Sequence, residues 1–253
     1  MDENNKLEFA SRLDLGQLQS QLDQVRSQLK KVIVGQERMI DYLLVALLSN
    51  GHVLLEGVPG IAKTITVKLL SKALDIGFSR IQFTPDLMPS DVLGTSVFDL
   101  KKSEFEFKKG PIFSNLILID EINRAPAKTQ AALFEVMEER QITIDGLRFS
   151  MQPPFLVIAT QNPVEQEGTY RLPEAQLDRF LFKIVIDYPT LEDEIQIITR
   201  EHEAKAKDKT AVVEKVLSAE SLVHYQALVK NILIEPQLIE YIAKITQNTR
   251  ENS

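Results

Sequence analysis

The fold is decided by one stretch near the start of the chain, Val53-Leu54-Leu55-Glu56-Gly57-Val58-Pro59-Gly60-Ile61-Ala62-Lys63-Thr64-Ile65. An apolar run suited to a buried strand leads into a glycine-containing loop, and a helical pattern continues from Ile65 to Leu74. In this setting backbone N–H groups and a helix N-terminus face a phosphate. We therefore predict that Gly57–Thr64 binds phosphate and that Ile65 also belongs to the nucleotide site, with Lys63 on the β and γ phosphates and the Thr64 hydroxyl on Mg²⁺. Ala62 stands where a glycine usually precedes the lysine, so the segment alone could also be a strand-turn-helix with an incidental lysine.

A second strand delivers two acids at its carboxyl end. Leu116–Ile119 is apolar throughout, and Asp120 and Glu121 follow it directly. Ligands of open α/β sheets bind at this edge. We predict that Asp120 holds Mg²⁺ through water and that Glu121 orients the attacking water. The alternative is a solvated acidic pair at the end of a strand.

Two further residues are candidates for catalysis. Phe155–Ala159 is followed by Asn162, which Pro163 favours in an extended conformation, so its amide could bond the γ-phosphate and the lytic water. Arg179 follows a short helical segment, and an arginine there could extend across a subunit boundary to the transferring phosphoryl group. The alternatives are an asparagine favoured by a loop and an arginine paired with Asp178 or Glu174.

The apolar runs alternate with helical stretches, which predicts a parallel sheet with helices on both faces. The expected strands are Val53–Leu55, Ile81–Phe83, Leu116–Ile119, Phe155–Ala159 and Phe182–Ile186. Two hairpins interrupt this order. Asp145-Gly146 favours a type I′ turn that sets Ile144 opposite Leu147 and Ile142 opposite Phe149, and a second hairpin is expected over Thr95–Phe107.

Helical patterns flank the predicted sheet. The apolar stripe of Leu15–Leu29 fits either a short coiled coil or, as we expect, a helix packed on the body, and Glu37–Ser49 reads as a buried helix. Three helices are expected after the last strand, at Leu191–Lys205, Ala219–Asn231 and Pro236–Gln247, the last burying Leu238, Ile239, Ile242 and Ile245. We place a domain boundary near Tyr188-Pro189-Thr190, giving a core over residues 1–188 and a helical lid over 189–253.

Composition narrows the function classes. The 253 residues carry a net charge of −7, which disfavours non-specific nucleic-acid binding, and the absence of cysteine excludes disulfides and thiolate sites. No apolar run approaches the length of a membrane span, and the polar N-terminus is unlike a secretory signal, so we expect a cytoplasmic protein.

The motifs together resemble the MoxR family of AAA+ ATPases, closest to the general MoxR proper group. The phosphate loop Gly57–Thr64, with alanine before lysine, matches that family's own variant. The blocks Asp120–Leu133, Glu138–Gln141, Ile158–Pro163 and Glu165–Tyr170 match it closely, and the resemblance covers about residues 34–189.

The resemblance implies a P-loop NTPase fold, an αβα core with a five-stranded parallel sheet followed by an all-helical lid. It makes Asn162 the sensor-one residue, Arg179 the finger supplied to a neighbour, and Val34-Gly35-Gln36 the segment near the adenine. ATP and Mg²⁺ are the implied cofactors. The family typically forms hexameric rings and acts like a chaperone in maturing other proteins, including metal-cofactor insertion. Its partners often carry a von Willebrand A domain, and its hairpin inserts tend to face the pore or partners.

Two features depart from the family pattern. Arg171 stands before Leu172 where a small residue or proline is expected, and the sensor-two arginine would fall just beyond Ser253, so we expect a partial lid.

The leading hypothesis is an ATP-driven remodelling ring. A metal-chelatase ATPase subunit and a nucleotide-controlled scaffold with little hydrolysis stay open, whereas a helicase or clamp loader would need a basic channel.

Overall fold

A five-stranded parallel sheet forms the centre of the computed structural model, which describes residues 3–57, 62–162, 172–203 and 209–251. The strands are β1 (His52–Glu56), β2 (Phe78–Gln82), β3 (Gly94–Asp99), β4 (Glu104–Lys109), β5 (Leu116–Asp120), β6 (Gln141–Ile144), β7 (Leu147–Ser150), β8 (Leu156–Gln161) and β9 (Phe180–Val185). The sheet order is β2-β5-β8-β1-β9, so the three apolar central strands are flanked by more exposed edge strands. The predicted fold class is confirmed.

Helices cover both faces of the sheet. They are α1 (Glu3–Lys30), α2 (Glu37–Leu48), α3 (Lys63–Ala73), α4 (Pro89–Leu93), α5 (Ala127–Glu139), α6 (Glu174–Leu177), α7 (Leu191–Glu203), α8 (Ala219–Lys230) and α9 (Pro236–Glu251). Successive strand residues point to opposite faces. Val53 and Leu55 therefore pack with α1, α2, α3 and α8, whereas Leu54 packs on the other side with α5. Within the described ranges, no helix combines the length and apolar character needed to cross a bilayer.

The two edge strands differ from the sequence expectation. β2 was expected at Ile81–Phe83 but begins at Phe78, and β9 was expected at Phe182–Ile186 but begins at Phe180. Edge strands expose one side, so they lack the continuous apolar run by which buried strands are recognised. The prediction for β2 therefore missed Arg80, which lies inside the strand.

The N-terminal helix packs on its own chain. Leu18, Val25 and Leu29 of α1 are buried, and Leu15 and Leu22 pack against the same cluster. The predicted packing on the body is confirmed, and the helix extends further towards the N-terminus than the stripe indicated.

Both predicted hairpins form. β6 and β7 pair Ile144 with Leu147 and Ile142 with Phe149, and positive φ at Asp145 and Gly146 fits the expected turn. β3 and β4 form the second hairpin in antiparallel register. The rings of Phe107 and Phe149, with centroids 4.4 Å apart, join the two hairpins.

The last helices depart from the prediction in one respect. Leu238, Ile239, Ile242 and Ile245 of α9 were expected to be buried but are about half exposed. Periodicity identifies the apolar face of a helix, not the element that covers it.

By contrast, α8 packs on the core. Leu222 and Tyr225 of α8 belong to the main core, and Gln226 donates to the Leu47 carbonyl. The domain boundary near Pro189 stays a prediction.

A buried histidine ties together three elements behind the central strands. The His52 Nδ1 of β1 accepts a hydrogen bond from the Val157 N–H of β8 at 3.0 Å. The ring is therefore the Nε2–H tautomer, and it donates to the Met137 carbonyl of α5 at 3.1 Å. Burial lowers the pKa of His52 to about 4, and the carbonyl bond opposes this shift only in part.

We predict an acid-dependent loss of stability from His52. Below about pH 6.5 the unfolded chain binds a proton that the folded chain excludes until about pH 4, so stability falls as the pH decreases across this interval. The full shift corresponds to about 3 kcal/mol of unfolding free energy. Urea titrations at pH 7 and pH 4.5 should show a smaller loss for His52→Gln than for the wild type. The exposed-residue variant His224→Gln should match the wild type, and an equal loss in all three would contradict the assignment.

Candidate functional site

A cavity of about 400 Å³ lies at the carboxyl ends of β1, β5 and β8, where open α/β sheets bind ligands. Its described lining includes these residues predicted from the sequence: Gly57, Ala62, Lys63, Thr64, Ile65, Asp120, Glu121 and Asn162. Val58, Pro59, Gly60 and Ile61, in the middle of the predicted phosphate loop, lie outside the described residues. The cavity is also lined by Arg80, Gln82 and Thr160, which the sequence reasoning did not select.

The start of α3 has strained backbone. Ala62, immediately before the helix, has φ 58° and ψ 14°, a left-handed conformation. A non-glycine residue there costs roughly 1–2 kcal/mol, which explains why glycine is the usual choice. The Ala62 carbonyl accepts bonds from both the N–H and the hydroxyl of Thr66, so the helix itself fixes this turn.

Lys63 is the first residue of α3, and its side chain reaches back to Gly57, directly after β1. Its Nζ donates to the Gly57 carbonyl at 2.5 Å, which bridges the two ends of the predicted loop. Burial lowers the pKa of Lys63, while Asp120 and Glu121 act in the opposite direction. The ammonium group is therefore already partly stripped of water in a place where a phosphate would be its natural partner.

Asp120 is a buried carboxylate with a partner on each oxygen. Arg80 Nε of β2 donates to Oδ2 at 2.6 Å, and the Thr160 hydroxyl of β8 lies 3.4 Å from Oδ1. The Thr160 oxygen also accepts the Glu121 N–H at 3.0 Å. One hydroxyl can donate and accept at once, so Thr160 fixes both acids relative to β8.

Glu121 also adopts a left-handed backbone conformation, with φ 58°. Gln82 Nε2 and Arg124 Nε each lie 3.0 Å from its Oε2. The segment after it is held by buried Gln130, whose amide donates to the carbonyls of Ile122 and Ala125. Strained non-glycine residues of this kind cluster at functional sites, where the surrounding bonds over-determine them.

The donor set fits a hard divalent cation. Thr64 and Asp120 line the same cavity and offer a hydroxyl and a carboxylate oxygen, the ligand types that Mg²⁺ prefers alongside phosphate oxygens.

Sequence and structure comparisons relate this chain to known ATPases. The sequence profile of the ATPase family associated with various cellular activities (AAA) matches residues 52–182. Chaperone MoxR1 of Mycobacterium tuberculosis is 47% identical over 91% of this chain and 60% of its own length. The uncharacterized protein YeaC of Bacillus subtilis is 46% identical over 88% of this chain and 69% of its own.

The chain belongs to the MoxR family of AAA+ ATPases. A solved structure from Cytophaga hutchinsonii, named as a candidate ATPase, superposes with a TM-score of 0.84 at 45% identity and covers 94% of this chain and 71% of that one. The chain spans about three fifths of the length of MoxR1.

Arg179, the finger expected for a MoxR protein, does not line this cavity. It follows α6 at the surface, and its guanidinium pairs with Glu138 at the end of α5 rather than with Asp178 or Glu174, the alternatives considered from the sequence. Both side chains are roughly half exposed, so the pair can open at small cost. Arg171 lies outside the described residues.

The predicted adenine segment also lies apart from the described lining. Gly35 has φ 71°, and a Cβ there would lie 2.5 Å from a carboxylate oxygen of Asp193 in α7. Gln36 is buried at the start of α2. A contact between Val34–Gln36 and a base stays a prediction.

Arg80, Gln82 and Thr160 could have been found by one rule. Side chains two residues apart on a strand share a face, so Arg80 and Gln82 of β2 both reach the acids at the end of β5. Thr160 of β8 lies two residues before Asn162, and β8 pairs with both β1 and β5, which lead into the rest of the predicted site.

Proposed function

We propose that this chain binds and hydrolyses ATP with Mg²⁺ in a ring of its own copies, and that the ring remodels partner proteins. The observation that carries the proposal is the convergence of Lys63, Thr64, Asp120, Glu121 and Asn162 on one cavity. These residues come from two strand ends and one helix start, yet they supply the groups that phosphoryl transfer needs.

Lys63 and the start of α3 would bind the phosphates. Because Lys63 now bonds the Gly57 carbonyl, nucleotide binding exchanges that bond for a charge-assisted one to phosphate. Thr64 and Asp120 would hold Mg²⁺, which when bound neutralises charge on the β and γ phosphates.

Glu121 would orient the attacking water together with Asn162, which follows β8 and lines the same cavity. Gln82 and Arg124 both engage Oε2 of Glu121, so these two side chains set the direction in which the carboxylate can act. A preset orientation removes part of the entropy cost of positioning water.

Arg179 would complete the site of a neighbouring subunit. Its position outside its own cavity and its exposed pair with Glu138 suit a residue that changes partner on assembly. An arginine supplied in trans stabilises charge on the transferring phosphoryl group. A hexameric ring is the arrangement that the family resemblance predicts.

Remodelling would act through the two hairpins. Exposed Phe98, Leu100 and Phe105 give the β3–β4 hairpin an apolar surface, and the Ser96 hydroxyl bonds Asp145 of the β6–β7 turn. One hairpin follows β2 and the other follows β5 through α5, so both are connected to strands that carry site residues. The chaperone name of the M. tuberculosis relative supports a client protein. A client with a von Willebrand A domain, and metal-cofactor insertion, stay predictions from the family.

We predict that Glu121→Gln separates binding from hydrolysis. Its ATP turnover should fall by roughly 10²-fold or more because the water loses its base, while ATP affinity stays within about threefold of the wild type. Turnover and equilibrium binding are measured on the same samples. The surface variant Glu220→Gln should match the wild type. Unchanged turnover in Glu121→Gln would favour the alternative hypothesis of a nucleotide-controlled scaffold with little hydrolysis.

Mixing two inactive variants tests whether Arg179 acts in trans. Lys63→Ala should lose nucleotide binding, and Arg179→Ala should lose roughly 10³-fold in turnover while still binding ATP. In a one-to-one mixture, random assembly gives roughly a quarter of the sites an intact cavity beside an intact arginine, so activity should reappear. A mixture as inactive as its components, or full activity of Arg179→Ala in assembled rings, would contradict the trans role.

A further inference from the structure

An arginine on the edge strand occupies the carboxylate that the proposed function assigns to Mg²⁺. Arg80 Nε donates to Asp120 Oδ2 at 2.6 Å, and the two side chains are 53% and 12% exposed. The Asp120 carboxylate is thus nearly withdrawn from water, while the arginine that balances it extends into solvent.

The charges lining the cavity explain why this pair exists. Among its described lining residues, Lys63 and Arg80 are cationic and Asp120 and Glu121 are anionic. A buried carboxylate is stable only with a compensating charge or hydrogen bonds. Lys63 donates to the Gly57 carbonyl rather than to an acid, so Arg80 supplies the direct ion pair for Asp120.

A metal ion and Arg80 need the same oxygens of Asp120. Thr160 lies against Oδ1 and Arg80 against Oδ2, so both oxygens already have a contact. Placing a divalent cation beside a guanidinium on one carboxylate brings like charges together, which is unfavourable in a partly buried site.

We propose that Arg80 is the resident counter-ion of Asp120 and that Mg²⁺ and Arg80 compete for this carboxylate. The proposal rests on the proposed ATP site and adds a residue that sets its metal dependence. Arg80 can move because β2 is an edge strand and its side chain is half exposed. Its position in the lining of the same cavity keeps it near the ligand after release.

The competition has a defined thermodynamic consequence. Without metal, Arg80 screens the charge of Asp120 from the phosphates, so replacing Arg80 should weaken metal-free nucleotide binding. With metal, replacing Arg80 removes the group that competes with Mg²⁺ for Asp120. The gain in nucleotide affinity on adding Mg²⁺ should therefore be larger than in the wild type. A residue that only supports the fold would change both affinities alike and leave their ratio unchanged.

The test is a calorimetric titration with a non-hydrolysable ATP analogue, in EDTA and again in excess Mg²⁺. For Arg80→Gln, the ratio of the EDTA dissociation constant to the Mg²⁺ dissociation constant should rise roughly two- to fivefold over the wild type, as expected for loss of a partly exposed ion pair. Arg80→Lys keeps the charge but not the Nε donor, so its ratio should fall between the two. Arg26→Gln is the matched control, because Arg26 Nε also lies 2.6 Å from an aspartate, Asp41, away from the cavity; its ratio should equal the wild-type value.

Two outcomes would overturn the proposal. An unchanged or smaller ratio in Arg80→Gln, with binding intact, rejects the competition but leaves the ATP site standing. Absence of binding by the wild type in both buffers rejects the proposed function itself. If Arg80→Gln does not fold, judged by its thermal transition, the same comparison is made with Arg80→Lys, where an unchanged ratio again rejects the competition.

Discussion

Parallel pairing of β8 with both β1 and β5 is the constraint on which the candidate site depends. It brings the two ends of the predicted phosphate loop, the paired acids and Asn162 to one edge of the sheet, although they are far apart in sequence. Burial of the central strands fixes this register, because a one-residue slip would exchange the two apolar faces. The same burial makes an unpaired Asp120 carboxylate costly, because Asp120 ends a fully buried strand and a buried charge needs a counter-charge. Arg80 of β2 supplies the charge, and Thr160 of β8 contributes a hydroxyl contact to the other oxygen.

The site is held together by bonds that a nucleotide would have to exchange. Lys63 bonds the Gly57 carbonyl and Arg80 bonds Asp120. Each of these partners is replaceable by a phosphate oxygen, a metal ion or a water molecule. Strained backbone at Ala62 and Glu121 keeps the two anchor points in place while the side chains change partner. In the proposed function, such an arrangement would couple ligand binding to β2 and α5, the elements that lead into the two hairpins.

Sequence reasoning predicted the parts of the fold in which local signals agree with tertiary packing. Continuous apolar runs identified β5 and β8, and Asp145-Gly146 predicted the register of the β6–β7 hairpin. It missed Arg80 because an edge strand carries no continuous apolar run. It also could not predict that Glu138, 41 residues away in the chain, pairs with Arg179, because such contacts depend on the packing of α5. The apolar face of α9 was recognised but wrongly taken as buried, since a pattern does not specify the surface that covers it.

The central claim is that an ATP site lies at this sheet edge and is completed between subunits. The most direct measurement is Mg²⁺-ATP turnover per subunit over a protein concentration series, with assembly state followed by light scattering on the same samples. The account predicts that turnover per subunit rises steeply with concentration and follows the assembled fraction. Equal turnover in dissociated and assembled protein, or turnover near zero in fully assembled protein, would contradict it.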